Sequence, residues 1–243
     1  MNDLIRVENL TKRFGSFVAV RGIDFSIRRG EILGFLGPNG AGKTTTIRMI
    51  NGLLRMTAGT VTIAGLDIRR DRRRIKEMIG YMSQRFSLYP LLTGEENVEF
   101  FAGLSGLSRA GIRGAIRSLA DRMPPGTLKQ KVTDIPPGHR QQISLFSCLL
   151  GDPRIIFLDE PTSGVDPRNR RQFWQDIYAL RSRGKTILVT THSLDEAEYA
   201  DRILIIHRGK IIERGEPARL CARYRADSIE EVFLQAVEKN ETA

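Results

Sequence analysis

The sequence predicts an α/β fold built around a largely parallel core sheet. Three observations carry that expectation. Short apolar runs alternate with amphipathic helical stretches, the layout of strands joined by crossover helices. A glycine-rich loop at 37–42 separates an apolar run from a helical pattern. Residues 93–150 read differently, as mostly helical with few strand-like runs, and are taken as a lobe inserted into the α/β frame.

The elements follow in order. Candidate strands are 4–7, 23–27, 32–36, 61–63, 79–82, 155–158, 186–190 and 203–206. Those at 155–158 (IIFL) and 203–206 (ILII) are continuous apolar runs, as buried strands are. Helices are expected to start at Thr44, at Asp166 or Pro167, at Ser193 and at Ser228. Within the inserted lobe, stop signals fall at Pro124, Pro125 and Gly126 and again at Pro136, Pro137 and Gly138. In the tail, apolar residues at 229, 232, 233 and 237 form one helical face.

Composition bounds the function. The chain has 243 residues, 41% hydrophobic and 27% charged, which suits a globular core and excludes a disordered chain. It holds no low-complexity tract and no internal repeat. No stretch approaches the ~18 apolar residues of a membrane-spanning helix. The opening MNDLIRVENLTKRF lacks the layout of a secretion signal, so a cytosolic chain is expected. Cys148 and Cys221 are expected to be unpaired thiols, and three widely spaced histidines offer no metal site. The net charge of +10 suits a phosphate ligand, nucleic acid or an anionic lipid. Its densest run, Arg69, Arg70, Arg72, Arg73 and Arg74, reads as a solvated helix start, with contact to a partner or a lipid headgroup as the alternative.

Residues Gly37, Pro38, Asn39, Gly40, Ala41, Gly42, Lys43, Thr44 and Thr45 satisfy G-x-x-x-x-G-K-[ST] in full. Glycines let successive backbone N–H groups turn inward around a polyphosphate. The helix that follows adds positive potential at its N-terminus. Lys43 is placed to reach the terminal phosphates, and the Thr44 hydroxyl to ligate Mg²⁺. Downstream, the run IIFL ends in Asp159 and Glu160. Strand ends of this kind face ligands in α/β sheets. Asp159 is expected to hold Mg²⁺ and Glu160 to orient or deprotonate an attacking water. Gln84 and His192 each follow a candidate strand. Gln84 is then placed to touch the metal or the water, and His192 to donate to a third phosphate.

This set of motifs, in this order, resembles the ABC ATPase family over nearly the whole chain, to about residue 215. Gly37 to Thr45 resembles Walker A, Gln84 in YMSQ the Q-loop, and IIFLDE Walker B. Residues 163–166 (SGVD) resemble the D-loop, His192 the switch histidine, and Phe14 in LTKRFG the adenine-stacking aromatic. The resemblance implies a P-loop core with a mainly parallel sheet, an N-terminal antiparallel β subdomain and an inserted helical subdomain. The core would comprise 1–92 and 151–220, the helical subdomain 93–150 and a C-terminal helix 221–243. It implies ATP and Mg²⁺ as ligands, with Asp166, Gly138 and His139 also at the nucleotide. It further implies two ATPase subunits, identical or different, closing on two ATPs and driving a membrane-spanning permease from the cytoplasmic face of the membrane. The runs PTSGVDPRNRRQFW and SIEEVFLQAV look most like exporters for drugs, lipids or polysaccharides. Nucleic acid is not expected as a partner. Family members acting on DNA separate their halves by a long coiled coil, and no sustained heptads lie here. Those acting on ribosomes usually carry two ATPase domains.

One stretch departs from the pattern. The family signature L-S-G-G-Q is matched by IPPGH, in which Pro136 and Pro137 replace the serine and the first glycine and His139 the glutamine. Proline brings neither N–H nor hydroxyl, yet is acceptable at a helix start. The expectation is a helix that still forms but contributes weakly to a γ-phosphate on an opposing subunit. A regulatory subunit that binds ATP without turnover is the non-enzymatic alternative.

Overall fold

The computed structural model describes residues 3–84 and 88–241. Strands β1 (Asp3–Phe14) and β2 (Phe17–Arg28) form a hairpin, and β3 (Ile32–Leu36) leads into helix α1 (Lys43–Ile50). Then come β4 (Ala58–Ile63), β5 (Leu66–Asp67), α2 (Arg72–Lys76) and β6 (Ile79–Met82). The lobe contains α3 (Gly94–Leu104), α4 (Arg109–Ala120) and α5 (Pro137–Leu149). The chain returns through β7 (Ile155–Asp159), α6 (Pro167–Ser182), β8 (Thr186–Thr191), β9 (Arg202–His207), β10 (Lys210–Gly215), α7 (Pro217–Tyr224) and α8 (Ile229–Glu241).

Two sheets result. The first is antiparallel, in the order β2-β1-β4-β5; the second runs β10-β9-β3-β8-β7-β6 and is parallel except at β10. The parallel strands are apolar on both faces because both are covered. Leu33, Phe35, Phe157, Leu188 and Leu204 point into a core shared with α1 and the antiparallel sheet. Their neighbours Ile32, Leu36, Ile156, Leu158, Ile187 and Val189 point the other way, against Phe173, Trp174 and Ile177 of α6. This period of two holds the sheet in one register, since a one-residue slip would exchange the faces. The lobe has its own core of Val98, Leu119, Leu128, Val132 and Ile143. Among the described residues no helix is long and apolar enough to cross a membrane.

Several elements differ from expectation. β1 and β2 are each 12 residues long, far beyond 4–7 and 23–27, because pairing with each other and with β4 carries polar stretches into the ladder. β10 (KIIERG) is a charged edge strand, whose pattern hides it. The segment after Ser193 is a 3₁₀ helix (Leu194–Tyr199) rather than an α-helix. The arginine run leads into α2, where Arg72, Arg73 and Arg74 are exposed. Cys148 and Cys221 are free thiols.

Candidate functional site

The C-terminal ends of β3, β6, β7 and β8 lie side by side, because these strands are parallel and neighbours in one sheet. Whatever follows each strand is therefore delivered to one edge. The glycine loop follows β3, Gln84 follows β6, Asp159 and Glu160 end β7, and His192 follows β8.

The loop has the backbone its sequence calls for. A β-carbon on Gly37 would stand 2.2 Å from the Ile206 carbonyl oxygen, and one on Gly42 2.7 Å from that of Ala19. Gly42 is left-handed and opens α1, and no side chain among the described residues caps that helix. The first-turn N–H groups of α1 thus have neither an intrahelical nor a side-chain acceptor. At Gly40 (φ +80°) an added β-carbon would meet open space. A concave loop of small residues ahead of an uncapped helix N-terminus fits a polyphosphate.

Lys43 stands at the floor, 3% exposed, donating from Nζ to the carbonyls of Gly37 (2.7 Å) and Pro38 (3.1 Å). The same ammonium lies 3.2 Å from Glu160 Oε1. Glu160 Oε2 accepts from Gln84 Nε2 at 2.9 Å and lies 3.1 Å from His192 Nδ1, which donates when protonated. The structure therefore brings Lys43, Gln84, Glu160 and His192 together around one carboxylate, itself only 6% exposed. Glu160 has φ +48°, a left-handed conformation that costs a non-glycine residue ~1–2 kcal/mol. Its N–H is secured by both the carbonyl (3.1 Å) and the hydroxyl (3.0 Å) of Thr190.

Asp159, fully buried, accepts at Oδ1 from Thr44 Oγ1 (3.0 Å) and Thr190 Oγ1 (2.8 Å), and at Oδ2 from Tyr81 (3.4 Å). Burial pushes its carboxyl above the usual carboxylate range, and the adjacent Glu160 charge adds to this, while the hydroxyl donors pull it back. Burial, with Asp159 close by, pushes the Tyr81 phenol up to about 12. The paired oxygens of Thr44 and Asp159 are the hard donors that Mg²⁺ takes.

Other expected residues lie apart from this cluster. Phe14 stands at the tip of the β1–β2 hairpin, 49% exposed, with the Lys12 ammonium 4.8 Å from its ring centre. Asp166 caps α6, accepting from the N–H groups of Arg168 and Asn169 at 3.1 Å each. Gly138 lies in the first turn of α5, where a β-carbon would stand 2.5 Å from Asn169 Nδ2. His139 Nδ1 is buried with no hydrogen-bond partner among the described residues. A separate cleft of about 550 Å³ between α4, α5 and α6, lined by Leu119, Phe146, Gln172 and Asp176, contains none of these residues.

Thr190 and Tyr81 were missed by sequence reasoning. Each is a polar residue near the end of a candidate strand, which was the available signal; in the sheet Thr190 stands beside Asp159, and Tyr81 reaches it through its hydroxyl. Gln141 and Glu196 were missed as well, each buried in a helical segment with nothing local to mark it.

Comparison with known proteins bears on this geometry. The family model described as ABC transporter matches residues 20–163, more than half of the chain. A second model, described as AAA domain, putative AbiEii toxin, Type IV TA system, matches 130–197. The probable multidrug ABC transporter ATP-binding protein YbhF of Escherichia coli (strain K12) is 42% identical over 240 residues, which are 96% of this chain but 42% of YbhF. This chain thus spans less than half of that relative's length. The linearmycin resistance ATP-binding protein LnrL of Bacillus subtilis (strain 168) is 34% identical, across 96% of this chain and 76% of LnrL. A solved ATP-binding subunit of an ABC transporter superposes with a TM-score of 0.84 at 26% identity, covering 96% of this chain and 99% of the other. A dimeric post-hydrolysis structure of an ATP-binding cassette with ADP and Pi gives 0.80 at 26% identity, covering 87% and 98%. With its glycine loop, paired acids and strand-end Gln and His gathered on one sheet edge, the chain belongs to the ABC transporter family.

Proposed function

We propose that the chain binds and hydrolyses ATP and passes the resulting closure and reopening of a subunit pair to a separate membrane permease, in export. The observation that supports this best is the convergence of Lys43, Gln84 and His192 on Glu160, beside the Thr44–Asp159 pair. In this reading the glycine loop and the α1 N-terminus hold the β- and γ-phosphates, and Lys43 neutralises them. Phe14 stacks on adenine. Glu160 accepts the proton of the attacking water, while Gln84 and His192 fix its carboxylate and sense the γ-phosphate. Thr44 and Asp159 would hold Mg²⁺, with Gln84 within reach, and the ion when bound draws negative charge off the phosphate oxygens. Asp166, Gly138 and His139 would face the nucleotide of an opposing subunit. Export draws on the name of a relative, a Nod factor export ATP-binding protein, and a separate permease on the family's description as transporters together with the absence, among the described residues, of a helix able to cross a membrane. A place on the cytoplasmic face of the membrane follows from the same reading.

Glu160→Gln tests it. The variant should keep ATP affinity, lose turnover and accumulate as an ATP-bound dimer, read by phosphate release and size exclusion. Hydrolysis at the parent rate would remove Glu160 as the base. A second reading, a subunit that binds ATP without turning it over, draws on Pro136 and Pro137 at the start of α5. ATP binding with no phosphate release in the parent chain, alone and with its permease, would favour it.

A further inference from the structure

Two buried polar side chains outside the cluster grip the loop that follows Glu160. Gln141 of α5, 1% exposed, donates from Nε2 to the Pro161 carbonyl at 2.7 Å. Glu196, also 1% exposed, accepts from Thr162 Oγ1 at 2.5 Å and pairs with Arg170 Nε at 3.4 Å. Each therefore acts within two residues of Glu160.

The grip has a physical purpose. Glu160 is left-handed, and such strain persists only where the surroundings over-determine it. Its own N–H is already tied to Thr190, which fixes the side toward β8. Pro161 has no N–H, so its carbonyl is the handle available on the other side. Gln141 takes that handle, and Thr162 gives Glu196 the next one. Stability alone does not account for Glu196. Its Oε2 is buried without a hydrogen-bond partner among the described residues, and a half-satisfied buried carboxylate is generally no better than a packed apolar residue.

Gln141 also belongs to the helix that opens at Pro136 and Pro137. The first turn of that helix meets the far end of the same loop: Gly138 packs on Asn169, whose Nδ2 donates to Asp166 Oδ2 at 2.5 Å. The start of α5 and the segment from Glu160 to Asp166 are thus joined at both ends.

We propose that Gln141 and Glu196 are positioning residues that aim the Glu160 carboxylate, and that Gln141 carries displacements of the α5 N-terminus to Glu160 in the same subunit. The inference rests on the reading of Glu160 as the base. A contact made by α5 with an opposing subunit would then alter this subunit's own hydrolysis.

The test compares Gln141→Leu, Thr162→Val and Thr162→Ser with Glu160→Gln in the full chain. Misplacing a catalytic group by ~1 Å costs about 100-fold, so Gln141→Leu and Thr162→Val should lose about 10- to 100-fold in kcat, with KM for ATP within about twofold. Thr162→Ser, which keeps the hydroxyl, should stay near the parent. Hydrogen–deuterium exchange gives a readout that needs no turnover: residues 159–164 should exchange faster in Gln141→Leu, with β3 and β8 at parent rates. If Glu160→Gln still hydrolyses ATP, the reading of the base fails. If Glu160→Gln is inactive but Gln141→Leu and Thr162→Val keep parent kcat, or the loop exchanges at its parent rate, the positioning role is overturned and the base stands. Should Gln141→Leu not fold, the Thr162→Val and Thr162→Ser pair decides by the same readouts.

Discussion

Thr190→Val removes one buried hydroxyl from the site. Threonine and valine match in shape, and Thr190 is fully buried, so the change removes a hydroxyl without opening a cavity. The Glu160 N–H keeps the Thr190 carbonyl at 3.1 Å, so the backbone link survives. What is lost is the 2.8 Å hydrogen bond donated to Asp159 Oδ1, together with the 3.0 Å one accepted from the Glu160 N–H, which keeps its carbonyl partner. A hydrogen bond to a buried charged group is worth about 1.5–3 kcal/mol. In a domain of this size that lowers the melting temperature by about 3–12 °C. The loss should depend on pH. The Thr190 hydroxyl holds the Asp159 carboxyl down against the upward push of burial, so its contribution is complete where Asp159 is ionised and fades as pH falls through the folded-state pKa. Urea unfolding of parent and variant at about pH 8 and about pH 4 reads both quantities. A loss under about 0.5 kcal/mol, or an equal loss at both pH values, would refute the view of Thr190 as a donor to an ionised Asp159.

Tyr81 titrates at about 12 in the folded chain against 10.0 for the free phenol. Between those values the unfolded chain releases a proton that the folded chain keeps, so stability falls as pH rises; Tyr81→Phe should flatten that decline, and parallel stability curves would argue against it. Replacing Pro136 by Ser together with Pro137 by Gly should leave stability within about 1 kcal/mol, because α5 already forms with Arg140 N–H bonded to the Pro136 carbonyl at 3.0 Å. ATP turnover should rise as N–H and hydroxyl donors return, and an unchanged rate rejects the idea of a weakened signature. Phe14→Ala should weaken ATP binding by the ~1–3 kcal/mol of base–aromatic stacking, with little change in melting temperature since the ring is half exposed; equal affinity by calorimetry removes Phe14 from the site.

What could be read in advance divides along a physical line. β3 and β7 are covered on both faces, so nearly every residue had to be apolar, and a continuous run is visible without knowing the neighbours. The glycine loop was readable for a similar reason: its conformation excludes β-carbons, as the approach of Gly37 to Ile206 shows. In both cases one segment carries its own constraint. The support of the site does not. Thr190 matters because it stands opposite Asp159 in a parallel register, a relation between residues far apart in the chain. Gln141 and Glu196 matter because α5 and the 3₁₀ segment after His192 both pack on the loop after Glu160, and neither helix pattern marks its polar residue as an inward one. Weakly patterned elements fail in the same way: β10 is a charged edge, and β1 and β2 are long only because they pair. Groups that touch phosphate chemistry are constrained by that chemistry and recur at fixed spacing. Groups that hold them are constrained only by the packing of distant segments. A site read from motifs alone therefore names the residues that gather at the sheet edge and is nearly blank in what holds them there.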